Sequence, residues 1–245
     1  MTAANGPGVG WAKWAKGRGL RAESAQYLNE VHAWRQAWRP DRVRVLLIGE
    51  SHVAQQPGDL KVRVRSPTGA PRKLPHSFVR LVYCLGYGED HLCNPKPEPN
   101  PGTWQFWDLF GAIADHQTGS KQPRKGESSP NYRISWKLRV LRTLQKKDVW
   151  LVDASVTGLY SPGGQRLKGG SAYGRIIKES YEKFIWPIVK NEPLEQVWAI
   201  GLMVGEALKD MRLQGMPSIA IISQPQDRVP GRYQTGLKRL VAEID

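Results

Sequence analysis

Four consecutive residues, Gly49-Glu50-Ser51-His52, follow the apolar run Val45-Leu46-Leu47-Ile48. A carboxylate and an imidazole two positions apart at a strand end can face one small ligand, the first stabilising positive charge or polarising water, the second carrying a proton. The same residues also read as a turn-capping Glu beside a surface His. Three more positions carry comparable groups: Asp153 after Val149-Trp150-Leu151-Val152, Gln224 after Ile221-Ile222-Ser223, and Arg228 in the loop beyond. Asp153 is either an acceptor for a ligand N–H, donating only if protonated, or a strand-end turn carboxylate. Gln224 can donate an amide hydrogen bond but has no proton to transfer; otherwise it is a turn residue before Pro225. Arg228 is a wedge into a partner or a solvated loop residue. The sequence has no Walker phosphate loop, no Gly-x-Ser-x-Gly elbow and no His-Glu-x-x-His helix. Its two cysteines, Cys84 and Cys93, rule out a disulfide framework and any four-thiolate metal or iron–sulfur site from this chain alone.

Charge narrows the partner. The net charge is +14 over 245 residues, and the excess is clustered. Residues 61–80 hold six Lys/Arg and no acid, residues 121–147 nine Lys/Arg against Glu127 alone, and residues 161–178 four Lys/Arg and no acid. Clusters of this kind suit a polyphosphate partner, because each neutralised phosphate releases condensed counterions; a basic surface kept for solubility is the alternative. The DNA-binding candidates are Lys61, Arg63, Arg65, Arg72, Lys73, Lys121, Arg124, Lys125 and Arg228. No run approaches the roughly 20 apolar residues of a spanning helix, and no signal peptide is evident. A cytoplasmic location, nucleoid-associated in a bacterium, is expected, with no membrane partner and a monomeric chain.

The elements that must position these groups alternate. Residues 1–22 read as a flexible basic arm, and residues 23–245 as one domain. Tyr27, Val31, Trp34 and Trp38 share a face, predicting a helix over 23–38 opened near Ser24 and ended by Pro40. Strands are expected at 42–48, 149–154, 196–200 and 218–223. Helices are expected at 78–85, 134–144, 181–189 and 204–211, and from Tyr233 onward. The stretches 51–75, 117–131 and 161–174 read as loops, the first unusually long for a compact domain. Phe78 lies on an apolar helical stripe with Leu81, Val82 and Leu85, so it is either core or a ring on which a ligand stacks. The fold class is α/β: three layers, α/β/α, around a mostly parallel central sheet of about four strands. Ligands of such sheets bind beyond the carboxyl ends of the strands, which gathers Glu50–His52, Asp153–Thr157 and Gln224–Arg228 into one crevice.

From about residue 42 to the C-terminus this order resembles the uracil-DNA glycosylase superfamily. Gly49-Glu50 is similar to its first motif, Val149-Trp150-Leu151-Val152-Asp153-Ala154 to its Leu-Leu-Leu-Asn-Ala strand, and Val197-Trp198-Ala199-Ile200-Gly201 to its next strand. Ile221-Ile222-Ser223-Gln224-Pro225 stands where the family has a strand entering His-Pro-Ser. His52 occupies a position usually held by Pro, and Gln224 that of the family's His. The resemblance implies a DNA glycosylase acting in base-excision repair, which flips a deaminated base (uracil, hypoxanthine or xanthine) out of DNA. Glu50, Ser51, His52 and Gln224 then become catalytic, Gly49, Phe78 and Asp153 bind the base, and neither a metal nor a cofactor is needed. Two other classes stay open. Gly-Glu-x-His after a strand also resembles the first motif of erythromycin-esterase/TraB-like metal-dependent hydrolases, which would make Glu50 and His52 ligands; the loss of the last-motif His suits a non-catalytic nucleic-acid-binding module.

Overall fold

A computed structural model describes residues 6–71, 73–98 and 102–244. Its centre is a four-stranded, wholly parallel sheet: β1 (Val45–Gly49), β4 (Val149–Asp153), β5 (Gln196–Ile200) and β6 (Ile219–Ile222), in the spatial order β4-β1-β5-β6. Leu47 pairs with Leu151 on one side and Trp198 on the other, and every residue of β1 and β4 is buried. Strands buried on both faces need no polar alternation, which is why they read as continuous apolar runs. A short antiparallel pair, β2 (Arg63–Val64) and β3 (Cys93–Asn94), stands apart from this sheet.

Side chains alternate across the strands and so sort the helices into two outer layers. Trp150 points to one face, where its indole N–H donates to the carbonyl of Arg35 at 3.1 Å in α2 (Ala25–Ala37). Ile221 points the same way and fills the gap left by Gly205 in α7 (Leu202–Leu208). Trp198 and Ile222 point oppositely, towards Arg239 and Gly236 of α8 (Arg232–Glu243). Helices α3 (Trp104–Asp115) and α4 (Pro130–Lys146) pack on each other in that second layer, α3 against α8 and α4 against β4. On the first side, α1 (Gly8–Gly17) packs on α2, and α5 (Gly170–Ser180) on α7. A π-helical turn, Tyr181–Ile185, leads from α5 into the short α6 (Trp186–Val189). The expected three-layer architecture is what the chain adopts.

Three local expectations are corrected. Within the expected arm, of which residues 1–5 lie outside the described residues, α1 is docked: its Trp11 and Trp14 are buried, both edge-on to Phe184, and the Trp14 indole donates to Glu179 at 2.9 Å. Residues 78–85 form successive turns rather than a helix, with Cys84 N–H bonding back to Leu81 and Tyr87 N–H to Cys84. The apolar stripe is nonetheless real, since Phe78, Leu81, Val82 and Leu85 are all buried. Residues 170–174, read as loop, open α5. The N-cap of α2 is as expected: Ser24 accepts from the Tyr27 N–H at 3.2 Å, a bond worth about 1 kcal/mol.

Candidate functional site

Strand order fixes where a ligand crevice must lie. From β1 the next strand of the main sheet is β4, on one side, whereas from β5 it is β6, on the other. The connections therefore diverge between β1 and β5, leaving a crevice at their carboxyl ends. A cleft of about 480 Å³ sits there, lined among others by Glu50, Tyr173, Gly201, Met203, Gln224 and Arg228. Glu50 follows β1, Gly201 follows β5, and Gln224 and Arg228 lie in the loop after β6. Gly201 has φ of 111°, a conformation other residues resist, and a Cβ there would stand 3.1 Å from Gln224 Nε2. Glycine is what lets the Gln224 amide close over the strand end.

Glu50 is held in place. Tyr173 donates its hydroxyl to Glu50 Oε1 at 2.6 Å, and the Arg166 guanidinium pairs with Oε2. Burial and the Glu50 charge push the Tyr173 phenol far above its ordinary range, so it stays a donor. The Glu50 side chain is 10% exposed against 54% for Arg166, so the carboxylate sits under a solvent-facing cation. Arg166 belongs to the third basic stretch. Tyr173 carries no local sequence signal, and only the fold brings it to Glu50.

The other expected residues lie elsewhere. His52 points inward and is buried, its Nε2 3.0 Å from Glu23 Oε2. Glu23, buried as well, also accepts from the Thr157 hydroxyl at 2.7 Å and from the Gln55 and Gly158 N–H groups, each at 2.8 Å. Burial alone would raise its carboxyl; the His52 charge and hydrogen bond and the two amides overcome this and hold it at about 2. His52 is thus part of an internal knot and does not line the cleft with Glu50. Ser51 is partly buried and likewise does not line it. Asp153 accepts from Arg35 Nη2 at 2.7 Å in a buried ion pair, and a Cβ on Gly49 would come within 3.2 Å of its Oδ1. Phe78 is fully buried, edge-on to Tyr87, and out of reach of any incoming ring. The aromatic edge nearest Gly49 is Phe106, whose Cζ lies 3.6 Å from where a Gly49 Cβ would be; nothing in sequence marks it above its neighbours in the aromatic stretch 104–113.

Among the cations, Lys61, Arg63, Arg65, Lys73, Lys121, Arg124, Lys125 and Arg228 are exposed, and Arg72 lies outside the described residues. Only Arg228 lines the Glu50 cleft. Arg124 and Lys125 line a second hollow, and Arg63 and Arg65 a third. Among the described residues no three His, Cys, Asp or Glu side chains cluster closely enough to hold a metal ion, and no helix is long and apolar enough to cross a membrane. Comparison with protein-family models, with curated proteins and with solved structures returns no match for this chain.

Proposed function

We propose that the chain is a DNA glycosylase that hydrolyses the N-glycosidic bond of a deaminated base, working in the cleft between β1, β5 and β6. The observation that carries the reading is the position of Glu50, a nearly buried carboxylate at the topological switch point, in a cleft that Gln224 also lines. In this reaction a water oxygen bonds to C1′ while the C1′–N bond breaks and its electron pair leaves on the base, so positive charge develops on the sugar and negative charge on the base in the transition state. The water gives up one proton, through solvent, to the anionic base. Glu50 stabilises the sugar cation or polarises the water, with Tyr173 fixing its orientation. Gln224 donates to the departing base but cannot protonate it. Phe78 is too deeply buried to carry the base, and Arg228, exposed and lining the cleft, replaces stacking lost when the base flips.

One feature favours a second reading, a nucleic-acid-binding module without the chemistry: Arg166 already neutralises Glu50. One assay separates the two. Labelled oligonucleotides carrying uracil, hypoxanthine or xanthine are incubated with the protein, and abasic sites are cleaved with alkali. The glycosylase reading expects strand cleavage for at least one base, reduced on the order of 10²-fold in single turnover by Glu50→Gln with DNA affinity nearly unchanged. Tight binding without base release selects the module instead.

A further inference from the structure

A second hollow, of about 330 Å³, lies between the turns around Gly88, the start of α3 and the basic loop at 122–125, and shares no lining residue with the Glu50 cleft. Its wall holds a buried charge cluster. Glu89, with a side chain 2% exposed, accepts from Arg133 Nη2 at 2.8 Å and from Lys137 Nζ at 2.9 Å. One buried carboxylate thus faces two buried cations. Nearer the rim, Lys125 pairs with Asp90 at 3.0 Å, and Arg124 acts electrostatically on Asp108, whose carboxylate accepts from the Gln122 N–H. Four cations (Arg124, Lys125, Arg133, Lys137) therefore stand against three carboxylates (Glu89, Asp90, Asp108). An excess cation with few counter-charges is costly to bury, and burial pushes the Lys137 ammonium down accordingly.

Unused donors accompany that charge. Trp107 lines the hollow and is 1% exposed, yet its indole N–H has no partner among the described residues, nor has the buried Thr103 hydroxyl. Thr103 does not cap α3 with its side chain, and the first turn of α3 carries no acid. At the wall Gly88 and Gly102, both at positive φ, cross so closely that a Gly102 Cβ would stand only 3.1 Å from Gly88 Cα. At the mouth, Trp104 is 41% exposed.

A cation, unpaired N–H and O–H donors and an uncapped helix start together suit a phosphate group, and an exposed indole beside them suits a planar base. We infer that this hollow binds a nucleotide unit, the phosphate taken by Lys137, Trp107 and Thr103 and the base lying on Trp104. The unit is either a free mononucleotide or one nucleotide of a strand, and the site is independent of what Glu50 does. Calorimetric titration with adenosine 5′-monophosphate tests it. Saturable binding is expected, at least about tenfold tighter than for adenosine. Trp104→Ala, a surface change, and Lys137→Gln, which leaves Glu89 paired with Arg133, should each weaken binding about tenfold, and Glu50→Gln should not. Competition by a 5′-phosphorylated oligonucleotide, and not by its unphosphorylated form, assigns the strand as the source; binding without competition assigns the free nucleotide. No saturable binding at millimolar nucleotide, or binding that both hollow variants leave intact, overturns the inference.

Discussion

Asp153 and Arg35 form a pair whose side chains are 6% and 2% exposed, and two further guanidinium nitrogens of Arg35, Nε and Nη1, have no partner among the described residues. Removing the carboxylate charge would leave a buried cation with nothing opposite it, a change that costs about 3–5 kcal/mol. Asp153→Asn is therefore expected to lower the unfolding free energy by that amount, read as a lower urea midpoint, not to retune base preference; a midpoint equal to wild type would reject this structural role. Glu23 supports a pH-dependent counterpart. Its carboxyl is held at about 2 in the folded chain against an ordinary 4.5, so its contribution is present above pH 4.5 and is lost as pH falls towards 2. On linkage alone it amounts to about 3 kcal/mol near neutrality. The stability gap between wild type and Glu23→Gln should be widest above pH 4.5 and should close on acidification. A gap constant across that window would mean that the His52–Glu23 contact contributes no charge term.

At the scale of elements, α1 carries a test of its own. Trp14 is 8% exposed and ties α1 to Phe184 and Glu179, so Trp14→Ala should destabilise the chain by about 3–5 kcal/mol; a neutral result would mean that α1 is only loosely docked. The central strands were legible because β1, β4 and β5 are buried on both faces and are written as apolar runs stopped by Gly49, Asp153 and Gly201. Helix α5 was not, because Gly169, Gly170 and Gly174 mask the stripe of Tyr173, Ile176 and Ile177 that it buries. In 78–85 the apolar spacing marked the core correctly and its backbone wrongly, since successive turns can bury the same side chains. The candidate site divides in the same way. Glu50, Gln224 and Arg228 could be gathered from strand ends alone. The ties of Glu50 to Arg166 and Tyr173, of His52 to Glu23 and of Asp153 to Arg35 join residues 29 to 123 positions apart, and no local pattern encodes them.

Over the whole molecule the net charge is +14, and the cations of the basic stretches line several separate hollows rather than one. A DNA partner that follows the basic loops would touch cations of two kinds. Arg63, Arg65, Lys121 and Arg228 are exposed and sit in no ion pair found among the described residues, whereas Lys125 already engages Asp90 at 3.0 Å. A free cation that meets a phosphate releases a counterion, and each such contact steepens the fall of log K with log salt by about 0.9. A paired cation must first leave its carboxylate, which returns part of that gain to the solvent. Arg228→Gln and Arg65→Gln should each flatten the salt slope by about 1 and weaken binding equally for all sequences; Lys125→Gln should change it by clearly less. The measurement is fluorescence anisotropy with one labelled duplex from low to physiological salt. Equal slopes for wild type and all three variants would place the DNA away from these loops, and an affinity flat in salt would remove DNA as the partner that the basic surface serves.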